Sequence, residues 1–120
     1  MHQKKEIEMD ISELQKTLKK FHKERKWDEF PLSLVLVHLV EEVGELGKHI
    51  LYKEGYKKEG LGHQSKPDEV EREIVQVLFL LIQIANSFST DLSSSIQHEL
   101  DIMSTRFDKT KWSKYMDQRV

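Results

Sequence analysis

The stretch EREIVQVLFLLIQIAN, residues 71–86, contains the pattern that decides the fold of this chain. Its apolar residues are spread around nearly the whole circumference of a helix, which predicts a central helix buried on most sides. The polar exceptions share one strip of that helix: Glu69, Glu73, Gln76 and Gln83. A buried carboxylate is costly unless it has a partner. Glu73 therefore requires a counter-charge, a metal ion or a water-filled cleft.

Amphipathic patterns on either side of this stretch predict three more helices. The four helices are expected to cover about residues 10–26, 31–53, 66–87 and 90–109. Each range begins at a helix-start signal. Asp10 is expected to cap the first helix, Pro31 to start the second, Ser65 with Pro67 and Asp68 to start the third, and Thr90 to cap the fourth. The apolar stripe of the first helix consists of Ile7, Ile11, Leu14, Leu18 and Phe21. That of the fourth helix consists of Ile96, Leu100, Met103 and Phe107.

The remaining segments are short, and the chain of 120 residues is expected to form one domain over residues 1–120. Residues 54–66 contain three glycines among charged residues, which predicts a loop. The tail from about Thr110 is expected to be weakly ordered. We predict an all-α fold, a four-helix bundle completed by oligomerisation, because the third helix has more apolar surface than three partners in one chain cover.

Composition excludes several classes of function. The chain has no cysteine, which rules out disulfides, thiolate catalysis and cysteine-ligated metals. Its net charge of -2 carries no overall signature of binding to a nucleic acid polymer. The N-terminus lacks the apolar core of a secretory signal, and the apolar run 74–85 is too short to span a bilayer. A cytoplasmic protein without membrane partners is the expectation.

The second helix has two distinct faces at 100° per residue. One face is apolar and consists of Val35, Leu39, Val43, Leu46 and Ile50. The opposite arc is polar and consists of His38, Glu42, Glu45 and His49, with Glu41 at its edge. Taken alone, such an acidic arc is typical of a solvated surface. Like charges at this spacing disfavour a helix slightly, and a hard cation such as Mg²⁺ would offset that cost.

The strip that contains Glu73 changes this interpretation. If it meets the acidic arc, four carboxylates converge, and no lysine or arginine is evident between them. Arg72 lies about 100° round the helix from Glu73, so it is a poor partner. This favours a divalent-metal site over a structural ion pair. A soft-metal site built on His38 and His49 is the less favoured alternative, because oxygen ligands outnumber the imidazoles.

Two stretches of the sequence, EEVGELGKHI (41–50) and EREIVQVLFLLIQIAN (71–86), resemble the MazG-like all-α nucleoside triphosphate pyrophosphohydrolases. The pattern of that family is EExxE, a variable gap and ExxD. KERKWDEF (23–30) is similar to the stretch that leads into the family's metal-binding helix. SFSTDL (87–92) and RF (106–107) resemble its last connector and helix end, so the resemblance covers roughly residues 10–108.

The resemblance implies an activity and a role for each matching residue. Glu42, Glu45 and Glu73 would bind Mg²⁺, or alternatively Mn²⁺, with Gln76 in the fourth position. Glu41 would orient the attacking water, so that the catalytic pair is Glu41 and Glu42. The reaction would cleave the α–β phosphoanhydride of a nucleoside or deoxynucleoside triphosphate, giving a monophosphate and pyrophosphate. The family also implies a homodimer or homotetramer.

The same resemblance suggests substrate contacts. Lys48 matches a lysine that often follows the first half of the motif, and with a lysine from the loop 53–58 it would hold phosphate oxygens. Trp27 and Phe30 would stack on the base. The alternative for Trp27 is packing against the bundle. The base and sugar preference, the number of metals and the physiological role are left open by the sequence.

Departures from the family pattern raise a second functional hypothesis. Gln76 stands where the family has its closing Asp, which removes one negative charge from the site. Met103 stands where the family often has Asn, and Glu99 stands where it often has Lys. Glu69, one turn before Glu73, is a candidate for the missing carboxylate. The alternatives to a competent enzyme are a catalytically weakened relative that binds nucleotides or partners, and a plain helical interaction module.

Overall fold

The computed structural model describes residues 8–58, 60–61 and 69–119, and every regular element among them is helical. The five α-helices are α1 (Ile11–Glu24), α2 (Leu32–Lys53), α3 (Val70–Ser87), α4 (Leu92–Arg106) and α5 (Lys109–Gln118). A 3-10 turn, Trp27–Glu29, joins α1 to α2. The predicted all-α fold class is confirmed. The start signal at Ser65, Pro67 and Asp68 and the stripe residue Ile7 lie outside the described residues.

Local chemistry explains where the first two helices begin. The Asp10 side chain accepts a hydrogen bond from the Glu13 backbone N–H at 2.8 Å, so α1 starts at the predicted cap. After α1, Lys26 adopts a left-handed conformation with φ of 58°, which turns the chain into Trp27–Glu29. Pro31 then precedes the first turn of α2, where its missing N–H is no loss.

The core lies where α1 and α2 pack against α3, and α2 makes the more extensive contact. Its fully buried apolar side chains are Leu18, Val35, Leu39 and Ile82. Three polar side chains are buried beside them, Gln15, His22 and Gln83. Burial of these polar groups requires hydrogen-bond partners or a ligand.

The Gln15 amide joins α1 to the connection between α3 and α4. Its Nε2 donates to Asn86 Oδ1 at 3.0 Å and to the Thr90 carbonyl at 2.8 Å, and its Oε1 accepts from the Leu92 N–H at 2.9 Å. Asn86 Nδ2 donates back to the Gln15 carbonyl at 3.1 Å. The chain bends by 103° between α3 and α4, and this network of hydrogen bonds, called the Gln15 latch below, fixes the bend.

The expectation that α3 is buried on most sides is wrong for the single chain. Its outward residues are well exposed, with Ile74 at 51% and Leu81 at 50%, because α4 turns away and contacts mainly α1. Val40 of α2 is likewise 63% exposed. The radius of gyration of 18.9 Å exceeds the ~14 Å typical of a compact domain of this length. The chain leaves large apolar faces uncovered.

The tail also differs from the prediction, since residues from Lys109 onward form α5 rather than a weakly ordered segment. Asp108 caps this helix by accepting a hydrogen bond from the Lys111 N–H at 2.8 Å. Trp112 contacts the rings of Phe107 and Tyr115 at centroid distances of 6.2 and 5.7 Å. The cap and these ring contacts hold the helix together without burial against the core.

The fourth predicted helix is shorter than expected. α4 spans Leu92–Arg106 rather than residues 90–109, and its cap is Asp91, which accepts a hydrogen bond from the Ser93 N–H at 3.1 Å. In the described part of the chain no single helix is both long and apolar enough to cross a membrane, although the bent pair of α3 and α4 passes by length and composition.

Candidate functional site

Two carboxyl groups meet where the polar arc of α2 faces α3. Glu73 shares a hydrogen bond with the Glu42 carboxylate, and this contact is the largest influence that raises the pKa of Glu73 to about 7. Burial and the negative charges of Glu42, Glu45 and Glu69 raise it further. Of the four carboxylates expected to converge, the structure brings Glu42 and Glu73 into contact, while Glu45 acts on Glu73 through its charge.

One oxygen of this pair has no partner in the part of the chain that the structure describes. The Oε2 atom of Glu73 is buried and has no hydrogen-bond partner among the described residues. No lysine or arginine of the described chain forms an ion pair with either carboxylate, whereas His38 Nε2 lies 3.2 Å from Glu42 Oε1, one helical turn away. A buried oxygen without a donor is unfavourable unless it is protonated or coordinates a cation.

These donors fit Mg²⁺ in its usual mode of binding in phosphate-handling proteins. In the described residues, no three side chains of the types His, Asp and Glu are gathered closely enough to enclose a cation. Mg²⁺ does not require such a cage, because it commonly takes one or two carboxylates and completes its shell with water and substrate phosphates. Glu42 and Glu73, with the unpartnered Oε2 oxygen, supply that pair.

A cavity of about 970 Å³ opens beside the carboxylates, within the size range of small-molecule sites. It brings together five of the residues predicted from the sequence: Trp27, Phe30, Glu41, Glu42 and Gln76. These residues come from α2, α3 and the turn before α2. The cavity thus joins the predicted base-stacking residues to the predicted catalytic residues.

Other predicted residues lie outside the cavity. Glu73 contacts Glu42 but does not itself line the cavity, and neither do Glu45 and Glu69, which act on Glu73 through their charge. Lys48 is exposed on α2 and also lies away from the cavity wall. Among the described residues, no lysine or arginine lines the cavity.

Trp27 both packs and remains accessible. Its ring stacks on His22 at a centroid distance of 6.0 Å and an angle of 27°, and it meets the edge of Phe21 at 5.7 Å. It is nevertheless 42% exposed and lines the cavity. Trp27 therefore packs against α1, as the alternative interpretation expects, and it also presents part of its ring to the cavity.

Sequence reasoning gave no functional role to two buried polar residues of the cavity wall, His22 and Gln83. The signal was present, because both are polar residues at core-facing positions of their helices. His22 lies four residues after Leu18 on α1, and Gln83 follows Ile82 on α3. A polar side chain at such a position requires a specific partner.

We compared the sequence and the fold of this chain with those of known proteins. No protein-family model matches it. It is 32% identical over 84 residues to YpjD of Bacillus subtilis (strain 168), an alignment that covers 70% of this chain and 72% of YpjD. Its fold is similar to the crystal structure of YpjD from Bacillus subtilis, which is provisionally described as a pyrophosphatase. The TM-score is 0.65 at 23% identity, over 87% of this chain and 99% of that one. The chain belongs to the YpjD family.

Proposed function

We propose that this protein is a Mg²⁺-dependent nucleotide pyrophosphohydrolase of the MazG-like type, which cleaves nucleoside or deoxynucleoside triphosphates to a monophosphate and pyrophosphate. The observation that carries the proposal is the Glu42–Glu73 pair, with its buried, unpartnered oxygen and the raised pKa of Glu73. The provisional description of YpjD as a pyrophosphatase and the shared all-α fold support it.

The proposed roles follow from the position of each residue. Glu42 and Glu73, with Glu45 nearby and Gln76 in the fourth position, would hold Mg²⁺, or Mn²⁺ in its place. When bound, the cation supplies positive charge that neutralises phosphate oxygens and acidifies water. Glu41 lines the cavity next to Glu42 and orients the attacking water. The water oxygen would bond to the α-phosphorus and release a proton to solvent, the bond from that phosphorus to the bridging oxygen would break, and pyrophosphate would leave.

The charges of the site explain why the cation is required. The described wall of the cavity carries Glu41 and Glu42 but no lysine or arginine. A triphosphate would be repelled by these carboxylates, at a cost that grows as water is excluded. As the resemblance implies, Lys48 and a lysine of the segment 53–58 would contact the outer phosphates of a substrate that extends beyond the described cavity wall. Binding of substrate and binding of the cation should therefore be strongly coupled.

The test measures pyrophosphate release from a panel of nucleoside and deoxynucleoside triphosphates, with and without Mg²⁺ or Mn²⁺. We expect release only with a cation, and a loss of about 100-fold or more in kcat/KM for Glu42→Ala and for Glu73→Ala. Glu71→Ala is the matched control, since Glu71 is an exposed glutamate on the same helix. Release that persists in both site variants would contradict the proposal.

A second candidate function is a weakened relative that binds nucleotides or partners without turnover. It is favoured by Gln76, which lines the cavity with a neutral amide where the family has a carboxylate. In that case no pyrophosphate is released, but calorimetry detects binding of a nucleotide together with Mg²⁺. Absence of both turnover and binding would leave a helical interaction module.

A further inference from the structure

The cavity has two chemically different ends. Glu41, Glu42 and Gln76 line one end, whereas His22, Trp27 and Gln83 line the other. Gln76 and Gln83 lie seven residues apart on nearly the same side of α3, which separates them by about 10.5 Å along the helix axis. That separation matches a nucleoside with its first phosphate, so one molecule can reach both ends.

His22 presents a neutral imidazole to this second end. Its side chain is only 6% exposed, and it lines the cavity. Burial lowers the pKa of His22, with a weaker opposing influence from the Asp28 carboxylate, so the ring is uncharged at neutral pH. A neutral imidazole offers one hydrogen-bond donor and one acceptor. In the described part of the chain, no hydrogen bond engages its nitrogens.

Gln83 lies beside it with part of its hydrogen-bonding capacity unused. The side chain is 9% exposed, and Nε2 donates one long hydrogen bond of 3.4 Å to the Trp27 carbonyl. A primary amide has a second N–H and an acceptor oxygen. The bond to Trp27 therefore orients the amide and leaves both a donor and an acceptor available to a ligand.

The described wall at this end of the cavity favours an uncharged group over a phosphate. The described residues of the wall include no lysine or arginine, and neither polar group is positively charged at neutral pH. The neighbouring surfaces are aromatic, with Trp27 stacked on His22 and Phe21 against its edge. A flat, uncharged ring with donors and acceptors on its edge fits both the walls and the polar groups.

We propose that His22 and Gln83 determine base specificity by hydrogen-bonding the edge of the substrate's nucleobase while its ring lies against Trp27. The inference rests on the proposed function, to which it adds two specificity-determining residues. Because both side chains are buried, a base that fails to match their donors and acceptors leaves them unpaired. Such mismatches give strong discrimination between substrates.

The first test compares two variants that remove the polar groups but keep their shape. His22→Phe keeps an aromatic ring against Trp27. In Gln83→Met, the methionine side chain has nearly the volume of the glutamine it replaces. His98→Phe and Gln97→Met are the matched controls, because both residues are exposed on α4. The kcat/KM values are measured for four ribonucleoside triphosphates and for ribose 5-triphosphate, which has no base. Circular dichroism verifies that every variant is folded.

We expect the wild-type protein to prefer one base, and each cavity variant to lose about tenfold or more of kcat/KM for that base. Hydrolysis of ribose 5-triphosphate should be unchanged, and the two controls should match the wild type. Unchanged base preference in folded cavity variants would overturn the inference. An equal loss on ribose 5-triphosphate would do the same, since it would mean that the residues act on the reaction and not on the base.

A binding measurement separates this inference from the proposed function. The chain has two tryptophans, so Trp112→Phe leaves Trp27 as the only fluorescent indole. In this background, nucleosides without phosphates should quench Trp27 saturably, and His22→Phe or Gln83→Met should weaken that binding about tenfold. If this result holds but no triphosphate is hydrolysed, the proposed function fails and base recognition stands. If no nucleoside binds to the wild type, base recognition is overturned whether or not hydrolysis occurs.

Discussion

The carboxyl group of Glu73 links the fold to the proposed chemistry at the scale of a single residue. It shares a hydrogen bond with Glu42, and its pKa is raised to about 7. Near neutral pH the side chain therefore carries a proton for much of the time, and a divalent cation that binds there must displace that proton. Metal binding should become tighter as the pH rises through 7.

The raised pKa also predicts how stability depends on pH without metal. A glutamate in the unfolded chain has its ordinary pKa of 4.5, so between pH 4.5 and 7 the folded state keeps a proton that the unfolded state has lost. The contribution of Glu73 to stability therefore falls as the pH rises through this window, and it stays lower above it. We expect a loss on the order of 1 kcal/mol, seen in EDTA as a Tm lower by about 4 °C at pH 8 than at pH 5.

Two variants check the origin of this effect. Glu73→Gln removes the ionisable group and should abolish this fall of Tm with rising pH, whereas Glu71→Gln, an exposed change on the same helix, should retain it. In Glu73→Gln, Tm should rise with pH below about 6.5, because the lowered pKa of buried His22 acts in the opposite direction. Mg²⁺ should raise Tm more at pH 8 than at pH 5 in the wild type. An identical dependence of Tm on pH in the wild type and in Glu73→Gln, measured in EDTA, would show that Glu73 does not hold its proton in the folded state.

Gln76 gives a second prediction at this scale. Its amide lines the cavity at the position that matches the closing Asp of the MazG-like pattern, so Gln76→Asp adds a negative oxygen donor one helical turn after Glu73. We expect tighter Mg²⁺ binding, by about tenfold in calorimetry, and equal or higher pyrophosphate release. Gln97→Asp on exposed α4 is the control for added charge. Loss of both binding and activity in Gln76→Asp would mean that Gln76 does not occupy the position of the family's Asp.

At the scale of elements, the Gln15 latch determines how α4 leaves the core. Gln15→Leu would leave the Leu92 N–H and the Thr90 carbonyl without partners in a partly buried position. We expect a loss of about 2–4 kcal/mol in the free energy of unfolding, measured by urea denaturation. Gln97→Leu removes only an exposed hydrogen bond to Asp101, and it should change the free energy of unfolding by less than about 0.5 kcal/mol. Equal effects of the two changes would contradict a structural role for the latch.

The elements also show what the sequence can and cannot predict. α1 and α2 were predicted closely, because Asp10 and Pro31 act locally at helix starts. Helix α5 was missed, since its Asp108 cap and ring contacts were not recognised in a short polar tail. The contact of Glu42 with Glu73 was predictable, because the helical periodicity places each on the polar face of its helix. The wall formed by His22 was not predicted, because it depends on how α1 crosses α3, which no local pattern specifies.

At the scale of the whole molecule, the outstanding feature is the apolar surface that one chain leaves open. Side chains of α2 and α3 that would normally be buried are about half exposed, including Val40, Ile74 and Leu81. The open arrangement follows from the bend of 103° that points α4 away from these faces. Exposed apolar surfaces of this extent are typical of protein–protein interfaces.

We propose on these grounds that a second copy of the chain covers α2 and α3. Light scattering coupled to size-exclusion chromatography should give a dimer or tetramer of the 14.2 kDa chain. Leu81→Glu places a charge on the open face of α3 and should shift the protein toward the monomer. The same change at Leu61, which is 72% exposed outside both helices, should leave assembly unchanged. A monomeric wild type would contradict the proposal.

Because α3 also carries Glu73 and Gln76, the Leu81→Glu variant should also weaken Mg²⁺ binding if assembly holds α3 against α2.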